Sequence, residues 1–148
     1  MNSTALIVAL LIQLVLVLGT AFVSMKYIAP AVTRKGFGFN RGFWPSIAVI
    51  ALAIFGGGFL SNAAARLLIG VAPHTILYFQ AYPVLMYVWE IFFSAVAIFL
   101  VARMMPALVF VKSFFTAVIV AAVNFAFSTV VMLLLGLALS GIMSVTGG

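Results

Sequence analysis

Ionisable side chains are scarce in this sequence, and their scarcity limits the chemistry that the chain can perform. Glu90 is the only acidic residue and His74 the only histidine among 148 residues, and cysteine is absent. A serine hydrolase needs a base held against its nucleophile and an acid behind that base. A metal site needs several carboxylate, imidazole or thiolate ligands. We therefore expect no catalytic residues, no enzyme activity, no metal site and no cofactor.

The composition indicates a membrane protein. Hydrophobic residues make up 68% of the chain and charged residues only 5%, whereas a soluble domain carries about 25% charged residues. About 20 apolar residues suffice to cross the hydrocarbon core of a bilayer. The runs that meet this criterion predict transmembrane spans at residues 5–27, 44–68, 82–103 and 113–142. We expect an all-α integral membrane protein, a four-transmembrane-helix bundle that forms a single membrane domain over residues 1–148.

The basic residues predict how this bundle is oriented. Every Lys and Arg except Arg66 lies in or beside the connection 28–43 or the connection 104–112. Basic residues concentrate in short cytoplasmic connections, so these two connections are predicted to be cytoplasmic. Both termini are then outside, and residues 69–81 form an outer connection at the membrane interface. The location that we expect is a bacterial inner membrane.

The first of these connections combines basic, aromatic and glycine residues. Residues 35–39 fit the first five positions of the RNP1 signature of RNA-binding sheets, but Asn40 and Gly42 depart from it, and such a sheet requires a soluble αβ domain. We therefore expect no nucleic-acid partner. Basic and aromatic side chains at a membrane surface instead favour contact with anionic lipid headgroups, or with a specific lipid or protein. The residues predicted to make the headgroup contact on the cytoplasmic face are Arg34, Lys35, Arg41 and Trp44.

Small residues recur at helical spacing within the spans. They let helix backbones approach closely, and close packing together with interhelical hydrogen bonds holds membrane helices together. The predicted packing residues are Ala53, Gly57, Ser61 and Ala65 in the second span and Gly136, Ser140 and Ser144 in the fourth. The second and fourth spans are therefore the expected centre of packing.

Arg66 and Glu90 lie inside predicted spans, where a charge at mid-bilayer costs about 2.5–3.5 kcal/mol. The two residues are predicted at similar depths, and side chains lean toward the N-terminus of their helix, which brings these two toward each other. We hypothesise an intramembrane ion pair that acts as a static clamp, as part of a translocation pathway, or as a contact with a neighbouring subunit or lipid. The polar cluster predicted around the pair comprises Gln13, Asn62, Asn124 and Ser128.

Two functions of different classes fit these features. The first is a small non-catalytic integral membrane subunit that packs into a larger membrane assembly, with copies of itself or with other subunits. The alternative is a small oligomeric channel or transporter for an ion, a proton or a small solute, which would use the cluster around Arg66 and Glu90. Membrane lipids and other membrane subunits are the expected partners.

A tag fused to either terminus tests the predicted orientation. Because basic residues flank only the connections 28–43 and 104–112, we expect a tag at either end to lie outside the cytoplasm. Protease added to intact spheroplasts should remove both tags. A tag that is cleaved only after the membrane has been permeabilised would contradict this orientation.

Overall fold

Within residues 2–146, which a computed structural model describes, the chain forms four long helices with short elements in the connections between them. Helix α1, Ser3–Val23, continues through a π-helical turn, Ser24–Ile28, into α2, Ala29–Val32. The remaining elements are β1 (Phe37–Phe39), α3 (Phe43–Val71), α4 (Thr75–Ala81), α5 (Pro83–Met104), β2 (Val109–Val111) and α6 (Phe114–Thr146).

Four helices in the described part of the chain are long and apolar enough to cross a membrane. A helix satisfies its own backbone hydrogen bonds, which is a condition for crossing hydrocarbon. The prediction of an all-α membrane bundle is therefore confirmed, while the orientation of the termini stays a prediction. The first helix and α6 are both longer than a perpendicular crossing of about 20 residues requires.

The first helix is longer than the sequence predicts, because Pro30 does not end it. The predicted end is at residue 27, whereas the helix continues to Val32. A proline inside a helix removes a hydrogen bond and clashes with the preceding turn, but the wider π-helical turn before Pro30 leaves room for the ring. The helix ends where Arg34 and Lys35 adopt left-handed backbone angles, with φ of 51° and 63°.

The two connections that were predicted as cytoplasmic loops pair with each other in an antiparallel sheet. Phe37 lies opposite Val111, and Phe39 lies opposite Val109. Residues 37–39 of the RNP1-like stretch thus form a strand rather than an irregular loop, and the pairing ties the first half of the chain to the second. Phe37 is only 1% exposed, so its ring is not accessible for stacking on a base.

The buried core lies at the end of the bundle that carries this sheet, which we call the sheet end. The apolar core residues are Ala21, Met25, Ala29, Phe37, Val49, Ile50, Ala53, Ala95, Ile98, Ala102, Val109, Ala117, Val120 and Ala121. The opposite end, which we call the terminal end, contains α4 and both ends of the described chain. There, residues 2–15 and 132–145 are exposed, so the chain by itself buries one end of the bundle.

Helices α3 and α5 approach closely at Gly57. A Cβ atom at this position would lie 3.2 Å from Ser94 Cα and 3.6 Å from Ala97 Cβ. The small residues of the second span therefore pack against the third span, whereas the sequence predicts the second and fourth spans as the centre of packing. Helix α5 is the central element, because both α3 and α6 pack against it.

The small residues predicted to pack helices differ in their surroundings. Ala53 and Gly57 are buried, and Ser61 and Ala65 are half-buried along the face of α3 toward α5. In α6 the predicted packing residues Gly136, Ser140 and Ser144 are exposed. The Ser140 and Ser144 hydroxyls donate to carbonyl oxygens of their own helix, Leu137 O and Gly141 O. Within residues 2–146 this face of α6 does not pack against another helix, because the terminal end is open.

Substitution of Gly57 tests the close approach, and Gly58 provides a matched control. Alanine stabilises a helix by about 1 kcal/mol relative to glycine, and a Cβ atom at Gly58 would meet nothing within 4 Å. A Cβ atom at Gly57 must displace the backbone of α5, and overpacking of this kind costs about 1–3 kcal/mol.

We therefore expect Gly57→Ala to be less stable than Gly58→Ala in unfolding titrations with SDS in mixed micelles. Gly57→Leu should widen the difference, since its side chain cannot fit between the helices. Equal stability of the two alanine variants would contradict the packing of α3 on α5.

Candidate functional site

A cavity of about 370 Å³ lies at the terminal end, between α3, α4 and α5. Helices α3, α4 and α5 each contribute to its wall, with the lining residues Ser61, Asn62, Ala65, Leu68, Ile69, Thr75, Ile76, Phe79, Gln80, Met86, Trp89 and Glu90. Pro83 begins α5, at a position where a missing N–H group leaves no helical bond unmade, and the Thr75 hydroxyl donates to Ala72 O at the start of α4. Small-molecule sites commonly measure about 300–1,000 Å³, so the volume suits a small ligand.

Trp89 forms the aromatic part of the wall and is held in place by its neighbours. Its Nε1–H donates to Ser61 O over 3.4 Å. The Phe79 ring meets it edge to face, with 5.6 Å between centroids, and the Phe93 ring lies 4.8 Å away on another side. These contacts join the three helices around the cavity and fix the orientation of the indole ring.

The polar side chains in the wall leave hydrogen-bond acceptors unused. Asn62 donates through Nδ2 to Gly58 O over 3.0 Å, which leaves its carbonyl oxygen free for another partner. Within residues 2–146, the Glu90 carboxylate has no hydrogen-bond or ion-pair partner. The Gln80 amide also lines the cavity without such a partner in the described chain. The cavity thus presents a carboxylate and two amide groups on an apolar and aromatic background.

The structure does not form the ion pair predicted between Arg66 and Glu90. Both residues are exposed, but Glu90 lines the cavity and Arg66 is not part of its wall. Within the described residues, the two side chains do not come within the 4.0 Å between nitrogen and oxygen that defines an ion pair.

The packing of α3 on α5 explains why this pair is not formed. Gly57 lies against Ser94, so in these antiparallel helices Glu90 is level with residue 61. Arg66 lies five residues farther along α3, or roughly 7.5 Å at the helical rise per residue. It is also nine residues from Gly57, which turns it about 180° away from α5 at 3.6 residues per turn. The sequence-based hypothesis considered the depth of the two residues in the membrane and the tilt of their side chains along the helices. The position of Arg66 around the axis of α3 separates the two charges.

The other members of the predicted polar cluster lie elsewhere. Gln13 is exposed on α1, and Ser128 is half-buried on α6. Asn124 is also half-buried on α6, and its Oδ1 atom is buried without a hydrogen-bond partner. None of these three residues lines the cavity. Of the predicted cluster, the structure therefore brings together only Asn62 and Glu90.

Sequence reasoning missed Trp89, Phe79 and Gln80 as members of this site. Trp89 precedes Glu90 directly, and Phe79 and Gln80 fall in the segment that was predicted as an interfacial connection. Nothing in their spacing distinguishes them from the interfacial aromatic residues that membrane proteins commonly carry. Their assignment to one cavity depends on the fold of α4 against α3 and α5.

The sheet end gathers the basic residues. Arg34, Lys35 and Arg41 are exposed beside β1, and Trp44 is 77% exposed at the start of α3. Arg103 lies over the Phe99 ring, 4.9 Å from its centroid. Exposed cations beside an exposed indole ring suit a surface of anionic headgroups.

The fold defines the class of this chain as an integral membrane protein with four long apolar helices. No protein-family model matches the chain, and no curated protein or solved structure matches it. No group of three or more His, Cys, Asp or Glu side chains that could hold a metal lies within residues 2–146. Function must therefore be inferred from the cavity and from the exposed surfaces.

Exchange of the two charges tests their separation. Because Arg66 faces away from α5, we expect the effects of Arg66→Glu and Glu90→Arg on unfolding free energy to add in the double variant, to within about 0.5 kcal/mol. Unfolding of all three variants with SDS in mixed micelles measures the sum. Recovery of stability in the double variant, beyond the sum of the single changes, would show a direct pair and contradict this arrangement.

Proposed function

We propose that this chain is a small non-catalytic integral subunit that packs into a larger membrane assembly. The observation that carries the proposal is the division of the bundle into two unlike ends. The sheet end has a buried core and a sheet that joins two connections. At the terminal end, residues 2–15 of the first helix and 132–145 of α6 are exposed.

Polar and small residues on these exposed faces favour protein over lipid as their cover. Lipid chains can cover apolar side chains, but they offer no partner to Gln13, which is exposed and makes no side-chain hydrogen bond within the described chain. An amide without a partner in hydrocarbon costs several kcal/mol. The face of α6 that carries Gly136, Ser140 and Ser144 has the small residues that permit close approach of another helix. A neighbouring membrane subunit, or a second copy of the chain, would supply a hydrogen-bond partner for Gln13 and a helix to pack on the small residues of α6.

The sheet end supports the placement of the chain in its membrane. Exposed Arg34, Lys35 and Arg41 lie at this end together with Trp44. We propose that this end faces the cytoplasm across a bacterial inner membrane, with the basic side chains on anionic headgroups. Both termini then lie on the outer side.

The alternative is a small oligomeric channel or transporter, and one observation favours it. Glu90 and Asn62 line a cavity between three helices without a protein partner for the carboxylate. The chain is small for a pathway of its own, since four helices enclose little space, and this alternative also requires an oligomer.

The mass and composition of the native particle distinguish these proposals. The chain, tagged and produced at its natural level in its own host, is extracted directly into native nanodiscs without detergent. We expect a particle much heavier than the 15.8 kDa chain that contains defined companion subunits. Gln13→Leu should reduce the amount of companion subunits recovered with the chain. Adding Leu11→Gln, which moves the amide to another position on the same exposed helix, should not restore that amount.

A single chain with lipid alone would contradict the subunit proposal. A symmetric oligomer of this chain without companions would favour the channel or transporter.

A further inference from the structure

We propose that the cavity between α3, α4 and α5 binds an amphipathic organic cation, an alkyl chain that carries an ammonium group, with Glu90 as its counter-ion. This inference concerns a ligand site within one chain and does not depend on the subunit proposal. It applies whether the ammonium group belongs to a lipid headgroup or to a free amphipathic amine.

The charge of the ligand follows from the groups that the cavity leaves unpaired. Glu90 is the only acidic residue of the chain, and its carboxylate can only accept hydrogen bonds when ionised. Asn62 donates one of its two amide N–H groups to Gly58 O, so its carbonyl oxygen and its second N–H are both left for a ligand. Arg66, the one cation in the terminal half of α3, lies outside the wall. The neutral amides of Asn62 and Gln80 can both donate and accept, so the carboxylate of Glu90, the only charged group among the lining residues, selects a cation over an anion.

The aromatic wall adds to this preference. Trp89 and Phe79 both line the cavity, and their rings are fixed against each other at 82°. The face of an indole ring attracts ammonium groups by about 0.5–2 kcal/mol, with the larger values at desolvated sites. A carboxylate beside fixed aromatic rings is the combination that recognises alkylated ammonium groups.

The remaining wall and its depth favour an alkyl chain on the ligand. Leu68, Ile69, Ile76 and Met86 supply an apolar lining. Glu90 is seven residues beyond Pro83, the first residue of α5, which places it roughly 10 Å along the helix at 1.5 Å per residue. To reach Glu90, the charged group of a ligand must therefore lie about 10 Å along α5 from its first residue. The apolar part of the ligand then contacts the apolar side chains of the wall.

Trp89 itself can report the binding. The chain has two tryptophans, and the second, Trp44, is exposed at the sheet end. In a Trp44→Phe background the fluorescence therefore comes from the cavity alone. The probes are 3-bromodecyl-trimethylammonium and 3-bromodecyl sulfonate, which carry the bromine quencher close to the head group, share a chain length and differ in charge.

In phosphatidylcholine nanodiscs and in phosphatidylglycerol nanodiscs, each probe is titrated into the Trp44→Phe protein and into its Glu90→Gln and Arg66→Gln derivatives. We expect the cationic probe to quench Trp89 at a concentration about tenfold lower than the sulfonate does, after correction for partitioning into protein-free nanodiscs. Glu90→Gln should abolish this preference. Arg66→Gln, the control that changes a charge outside the cavity wall, should preserve it.

The two lipids distinguish the sources of the ligand. If the ammonium headgroup of a lipid occupies the cavity, the difference between the protein and its Glu90→Gln derivative should appear in phosphatidylglycerol and be suppressed in phosphatidylcholine. If the site takes free amines, the difference should appear in both lipids.

A second variant keeps the test decisive if Glu90→Gln does not fold, as judged by size-exclusion chromatography. Ala65→Phe fills the cavity from the α3 wall and keeps the carboxylate, so we expect it to reduce quenching by the cationic probe to the level of the sulfonate. Equal quenching by both probes in the parent protein in phosphatidylglycerol nanodiscs would overturn the proposal. A cation preference that survives Glu90→Gln or Ala65→Phe would overturn it as well.

Discussion

The approach of α3 to α5 at Gly57 sets the arrangement of the terminal half of this protein. With no side chain at Gly57, the backbone of α5 at Ser94 comes within contact distance, and in lipid such close packing replaces the hydrophobic effect as the force between helices. The contact fixes the register of the two antiparallel helices. It places Ser61 O where the Trp89 indole can donate to it, and it puts Glu90 in the wall of the cavity.

The sheet end holds the bundle together by different means. There the helices meet through alanine and other small side chains, and the pairing of β1 with β2 joins the connection after the first helix to the connection before α6. Because this pairing links distant parts of the chain, it closes the sheet end while the terminal ends of α1 and α6 have no such tie. The molecule therefore combines a closed end, which carries most of the basic residues, with an open end that carries the cavity and the uncovered faces.

The two ends of the bundle also carry different surfaces, and the proposals about function depend on both. At the sheet end, exposed Arg34, Lys35 and Arg41 suit anionic headgroups. At the terminal end, Gln13 and Glu90 are exposed, and their side chains make no hydrogen bond or ion pair within residues 2–146. A polar group in hydrocarbon without a partner is costly, and this cost is the physical basis of the proposals of a neighbouring subunit at the open end and of a ligand in the cavity.

The sequence by itself determined the number of long apolar helices and the end of the bundle at which the basic residues concentrate, because both depend on composition along a segment. It also indicated Gly57 and Ser61 as packing residues, since small residues four apart form one face of a helix. Only the tertiary structure decided which helix meets that face, and it was α5. The rotation of Arg66 away from α5, and the pairing of Phe37 with Val111, also required the fold. Rotation about a helix axis and pairing between distant segments depend on contacts across the chain, which local sequence does not encode.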